Sequence, residues 1–256
     1  MAEAKTYHHI LITGASGGLG AALAAAYARP GIWLALTGRN AERLAAVAER
    51  CRSLGAEVTA AAIDVTDSEA LGAWIRECDR RRPLDLVIAN AGATSTISPQ
   101  KPAESWDDIN RVFDTNVKGV LATVYPAMEA MRARGHGQLA LVSSLGGYVG
   151  MSISPAYNAS KAAIKVYGEG LRGWLAPQGV GVTVICPGFI RSAMSDAYPG
   201  PRPFLLGAEQ AAAIIVQGLA RNPARIAFPF PLTLAVWFLS TLPPAFSLYL
   251  QKAFRF

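Results

Sequence analysis

Short apolar runs alternate with longer stretches of helical period from the start of this 256-residue chain to residue 228. The apolar runs, at residues 10–12, 33–36, 58–63, 84–89, 139–142, 181–185 and 225–228, predict seven strands. The run at 84–89 is nearly continuous rather than alternating, as befits a strand covered on both faces of a parallel sheet. Helical periodicity fills residues 21–29, 41–54, 67–81, 103–134, 157–175 and 208–220 between them. Strands that alternate with helices predict an α/β fold, a Rossmann-like doubly wound parallel sheet of about seven strands with helices on both faces. Two stretches break the pattern. Residues 189–206 hold three prolines and little periodicity and read as a lid, and a hydrophobic tail follows residue 228.

Hydrophobic residues make up 52% of the chain, enough for one large core, and no Ser/Gly/Pro-rich linker divides it. Residues 1–228 therefore read as one catalytic and dinucleotide-binding domain, with 229–256 as an extension. The net charge of +6 comes from dispersed Lys and Arg. The one run, Arg80-Arg81-Arg82 beside Pro83, reads as a solvated helix end, so no nucleic-acid partner is expected. Cys51, Cys78 and Cys186 are odd in number and widely spaced, the usage of a reducing compartment. Residues 1–10 lack the apolar core of a signal peptide, so a cytoplasmic location is expected. His8 and His9, adjacent in a strand, face opposite ways, and no metal site is expected.

Candidate chemistry sits at the strand ends. Thr13-Gly14-Ala15-Ser16-Gly17-Gly18-Leu19-Gly20 joins the first strand to an alanine-rich helix. Such a turn lets backbone approach a pyrophosphate, whose charge suits the free N–H groups and dipole of the helix start. The second strand ends in Thr37-Gly38-Arg39. An acidic side chain here would hold a ribose 2′-hydroxyl, whereas an arginine accommodates a 2′-phosphate, so NADP(H) is expected in preference to NAD(H). Asp64-Val65 closes the third strand with a carboxylate placed for an adenine amino group. Asn90-Ala91-Gly92 puts small residues at the carboxyl end of the fourth, where ligands of open α/β sheets bind. Asn116 is a poor helix-interior residue and marks a local break or a polar task. Ser143 and Ser144 then supply hydroxyls, and Tyr157 and Lys161, one helical turn apart, face the same side. A fixed cation favours a phenolate, so Lys161 is expected to depress the Tyr157 pKa from about 10.

Together these pieces resemble the short-chain dehydrogenase/reductase family over about residues 8–228. The resemblance implies that Asn116, Ser144, Tyr157 and Lys161 form a catalytic tetrad, with Ser144 preferred over Ser143. It implies further that Gly14, Ser16, Gly17, Gly18, Leu19, Gly20, Arg39, Asp64, Val65, Asn90, Ala91 and Gly92 meet the dinucleotide, as do Tyr157, Lys161, Pro187, Gly188, Ile190 and Ser192. Ser192 stands where a threonine is usual. In the implied chemistry Ser144 polarises a carbonyl, Tyr157 acts as general acid/base, Lys161 also holds the nicotinamide ribose and Asn116 positions a water. The expected activity is NADP(H)-linked interconversion of a carbonyl and a secondary alcohol. An NAD-linked alcohol dehydrogenase and a non-catalytic dinucleotide sensor or membrane scaffold are its alternatives. The resemblance also implies a homodimer or homotetramer formed through residues 103–134 and 157–175.

The tail departs from the family. No charged residue occurs from Ile226 to Leu250. Its prolines leave only residues 232–242 uninterrupted, about 16 Å of helix against a hydrocarbon core of about 30 Å. Aromatic anchors followed by Lys252 and Arg255 suit peripheral contact at the inner face of a membrane, a subunit interface or a cover over an apolar substrate pocket.

Overall fold

The computed structural model describes residues 5–253. Its sheet follows from the apolar runs: β1 (His9–Thr13), β2 (Trp33–Thr37), β3 (Glu57–Ala61), β4 (Leu86–Ala89), β5 (Gly137–Val142), β6 (Val180–Pro187) and β7 (Arg225–Phe228). All pairings are parallel, in the order β3-β2-β1-β4-β5-β6-β7. Side chains of period two divide each strand between two cores. Ile10, Ile12, Leu34, Leu36, Leu86 and Ile88 pack on one face against α1 (Gly18–Tyr27), α2 (Ala41–Ser53) and α8 (Ala208–Leu219). Leu11, Ala35, Val87, Leu139 and Val182 pack on the other, against α3 (Ser68–Arg81), α5 (Gly119–Arg134) and α6 (Pro155–Leu175). Burial on both faces is why the central runs carry no polar alternation. Edge strand β3 does not share it, and all five of its residues are exposed or half-buried.

The chain order reverses between β1 and β4, so the carboxyl ends of these strands part around a crevice. Thr13 and Asn90 brace its two lips. Thr13 Oγ1 accepts from the N–H groups of Asn90 (3.1 Å) and Ala91 (3.2 Å), and the Asn90 amide donates to the Thr13 carbonyl at 3.0 Å.

Several expected boundaries move, three of them near the crevice. The helix predicted over 103–134 is two helices. α4 (Trp106–Phe113) starts at a capping box of Ser105 and Asp108, and a π-helical segment, Asp114–Lys118, separates it from α5. The break falls at Asn116, the residue whose amide argued for one. β3 ends at Ala61, two residues short of the apolar run. α6 begins at Pro155, a residue suited to a first helical position, so Tyr157 lies within the first turn rather than opening it.

The lid contains one short helix, α7 (Ala193–Asp196), and the tail folds as α9 (Phe230–Thr241) and α10 (Pro244–Ala253). Leu232 of α9 is buried with Leu145, Val184 and Cys186. Among the described residues no helix is long and apolar enough to cross a membrane. Lys252 lies in the last turn of α10, and Arg255 lies outside the described residues.

Candidate active site

A cavity of about 460 Å³ follows the carboxyl ends of the strands. Every expected dinucleotide contact lines it: Gly14, residues 16–20, Arg39, residues 64–65 and 90–92, Tyr157, Lys161, Pro187, Gly188, Ile190 and Ser192. The glycine turn has the geometry of an anion cradle. Gly14 has φ +67°, and a Cβ there would come within 2.8 Å of Ala91 Cα. No side chain caps α1 and no acidic residue occupies its first turn, so its leading N–H groups remain available to a diphosphate. Beyond the end of β2, Arg39 lies 3.8 Å from Asp64; Arg39 is exposed and Asp64 half-buried, and both line the cavity. The other oxygen of Asp64 accepts from the N–H and hydroxyl of Thr66, at 3.0 and 2.9 Å.

At the opposite end β5 delivers two serines to different tasks. The Ser143 hydroxyl donates to the Lys161 carbonyl at 2.6 Å and ties β5 to α6. The Ser144 hydroxyl accepts from Gly146 N–H at 3.0 Å and lies in hydrogen-bonding reach of the Tyr157 phenol. Lys161, 4% exposed, donates from Nζ to the Val142 carbonyl at 3.0 Å and stands 5.8 Å from the centre of the Tyr157 ring.

These surroundings reverse the expected acidity of the phenol. Burial pushes the Tyr157 pKa up from its ordinary value, and the hydrogen bond from Ser144 opposes this only in part. The same burial pushes the Lys161 ammonium down to about 8, against a weaker upward pull from Cys186. Both groups share one weakly polar enclosure, where desolvation of a charged form outweighs attraction to a neighbour. At neutral pH the pair is therefore a neutral phenol beside a cation, the form that donates a proton.

Asn116 stands apart from the other three. It is fully buried and does not line the cavity. Its Oδ1 accepts from Ala93 N–H at 2.7 Å, and its Nδ2 donates to the Ala93 carbonyl and to Ser160 Oγ, both at 2.9 Å. The amide clamps the loop after β4 to α6, which makes it a positioning group. The Ser192 hydroxyl likewise serves its own helix, capping α7 by accepting from Ser195 N–H at 3.2 Å.

A sequence model described as short chain dehydrogenase matches residues 8–200. The chain belongs to this family. An uncharacterized oxidoreductase of Myxococcus xanthus is 36% identical over 244 residues, 95% of either chain. A short-chain dehydrogenase from Sphingobium yanoikuyae, solved in complex with NADPH, superposes with a TM-score of 0.77 at 25% identity, covering 87% of this chain and 88% of that one. Another, from Mycobacterium paratuberculosis and bound to NAD, shares the fold at 20% identity with a TM-score of 0.77, covering 89% of this chain and 98% of that one. This short-chain dehydrogenase is accordingly an NAD(P)-dependent oxidoreductase that acts on a small molecule.

Several lining residues of the dehydrogenase escape a reading by motif. Arg43, in the first turn of α2, joins Arg39 on the cavity wall, and its only sequence signal is the spacing of four from Arg39. Thr94 and Thr115 flank the Asn116 clamp. Leu232 and Val236 enter from the tail, where only their apolar character was visible in advance.

Proposed function

We propose that this enzyme is an NADP(H)-preferring carbonyl reductase for an apolar, lipid-like substrate, working through Ser144, Tyr157 and Lys161 with Asn116 as a brace. The observation that carries this reading is the convergence of the Ser144 hydroxyl, the half-buried neutral phenol of Tyr157 and the Lys161 ammonium at one end of a cavity whose other end is the glycine turn. The dinucleotide supplies a hydride when bound. Ser144 donates a hydrogen bond to the substrate oxygen and steadies the negative charge that develops there. Tyr157 passes its proton to that oxygen, and the nearby Lys161 cation faces the charge left on the phenol. With the dinucleotide bound, Lys161 would also hold the nicotinamide ribose, and residues 16–20 would hold the diphosphate through backbone N–H groups. A panel of aldehydes and ketones, with NADPH consumption as readout, tests the reading. No turnover of any carbonyl would remove it.

NADP(H) preference is supported by two arginines, Arg39 and Arg43, on the wall beside the second strand. Replacing both with alanine is expected to weaken NADPH binding by about ten- to a hundredfold, on the scale of one charge-assisted hydrogen bond. NADH binding should change little. A fluorescence titration of both cofactors checks this, and equal losses for the two would overturn the preference.

An apolar substrate is supported by the distribution of charge. Among the described residues lining the cavity, Arg39, Arg43 and Asp64 lie at the dinucleotide end and Lys161 lies beneath Tyr157. The remaining wall has no cation to pair with an anion, so a carboxylate or phosphate carried there would be desolvated without a counter-charge.

The tail supports contact with a lipid surface. α10 is inverted: its buried side chains Ser247 and Gln251 are polar, whereas Phe246, Leu248 and Tyr249 are exposed. Leu234, Trp237 and Phe238 of α9 are exposed as well. A net charge of +6 and Lys252 favour an anionic bilayer, at the cytoplasmic face of a membrane, and three buried free thiols suit a reducing compartment. Full-length enzyme is expected to float with anionic phospholipid vesicles, and a Trp237→Ser/Phe238→Ser variant to lose most of that association. Wild-type protein that stays in the soluble fraction would sink the idea. Pairing of copies through α5 and α6, as a homodimer or within a homotetramer, is supported by the exposed Tyr125, Val166 and Trp174 on these helices.

A further inference from the structure

The cavity wall beyond Ser144 belongs in part to the tail. Leu145, the next residue, is buried against Leu232, with Phe189 and Val236 packed at the margin of the same cluster. Leu232 and Val236 are four apart on α9, so they share one side of the helix, and both line the cavity. Leu234, Trp237 and Phe238 take the outer side. α9 sits hard against the end of β6: a Cβ on Gly188 would come 3.0 Å from Leu232 Cδ2 and 3.1 Å from Pro229 Cδ. The helix is thus seated on the segment that closes the reaction end of the cavity, and its position along that wall sets how much room lies beyond a carbonyl held at Ser144 and Tyr157.

From this we infer that α9 gauges the substrate: Leu232 and Val236 contact the apolar group attached to the carbonyl and select an extended, uncharged chain over a short one. The inference rests on the carbonyl-reductase reading and deepens it by naming the residues that set specificity. A pocket wall of this kind discriminates by methylene groups, each worth about fourfold in kcat/KM when it passes from water into apolar contact. Val236 is half-buried at the open end of the pair, where its size changes the available length without removing a core side chain.

The test is NADPH-dependent reduction of straight-chain methyl ketones of about four to about ten carbons, where wild-type kcat/KM should climb with chain length by about that factor per carbon until the wall is filled. Val236→Phe should lower the ratio of long-chain to short-chain kcat/KM by about tenfold or more, and Val236→Ala should move the optimum to longer chains. Leu234→Ala, on the outer side, should keep the wild-type profile. Dinucleotide binding by fluorescence identifies folded variants. Unchanged chain-length profiles in the folded Val236 variants, or a wild-type enzyme that reduces ketones without regard to length, would overturn the inference and leave the reductase reading standing. A wild-type enzyme that binds NADPH yet reduces no carbonyl would overturn both.

Discussion

Tyr157→Phe is expected to lower kcat for carbonyl reduction by about 10² to 10⁴, the contribution of a positioned general acid, while dinucleotide binding persists. The substitution removes one oxygen and keeps the ring that lies beside Lys161. Because burial holds the phenol in its protonated form, the wild-type enzyme should reduce carbonyls readily at neutral pH. The reverse oxidation requires the ionised phenol and should gain with rising pH. Single-turnover and steady-state rates with NADPH, beside a fluorescence titration of the same variant, separate loss of chemistry from loss of binding. A phenylalanine variant that keeps more than about a tenth of the wild-type kcat would exclude Tyr157 as the proton donor.

Lys161→Met should make the enzyme slower and more stable at once. The lysine's pKa is about 8 in the folded protein, depressed by burial from an ordinary 10.5. Between these values the unfolded chain binds the extra proton and the folded protein does not, so stability rises with pH across the window. Below pH 8 the folded protein carries the whole cost of burying the cation, on the order of 3 kcal/mol. Methionine fills a similar volume without charge and removes that cost, although the Val142 carbonyl loses its donor. The variant should therefore melt above the wild type at neutral pH, and the difference should shrink as pH rises from 8 to 10.5. Its kcat/KM should fall by about 10² to 10³, the scale of losing one fixed electrostatic group. In the wild type, kcat/KM for the dinucleotide should decline above pH 8 as the ammonium discharges, and in the methionine variant that limb should vanish. Thermal melts and pH profiles of both proteins check these signs. A variant that melts lower at neutral pH would show that the ammonium stabilises the fold and that its burial cost is offset elsewhere.

The two outcomes share a cause in the way the site is built. Ser143, Asn116 and Asn90 join segments of the chain: Ser143 fastens α6 to β5, Asn116 fastens α6 to the loop after β4, and Asn90 fastens the start of the glycine turn to the carboxyl end of β4. Each is a polar side chain spent on fixing the distance between two elements that carry the groups proposed to react. Ser144 and Tyr157 can face one oxygen because those distances are held.

Much of this was legible along the chain. The apolar runs identified the strands because a parallel sheet buries both its faces, and the glycine turn and the spacing of Tyr157 and Lys161 are local features whose geometry follows from a tight turn and a helical period. Even the π-helical break was announced by an asparagine in an unfavourable place. Other features had no local signature. Nothing adjacent to Ser143 and Ser144 distinguishes the hydroxyl that braces from the one that faces the phenol, since that depends on where the Lys161 carbonyl lies. The acidity of Tyr157 ran opposite to the expectation from its neighbour because a pKa sums burial with charge, and burial is a property of everything packed around the group. The tail was apolar on any reading, yet which of its side chains face the cavity became visible only once α9 was seated against Gly188. The sequence by itself determined the alternation of strands and helices, the family and the residue types at the strand ends, because each of these is written in contacts a few positions apart. Only the tertiary structure decided which polar groups brace neighbouring segments, what form the phenol and the buried ammonium take, and what the tail covers, because these follow from distances between segments far apart in the chain and from the water that packing excludes.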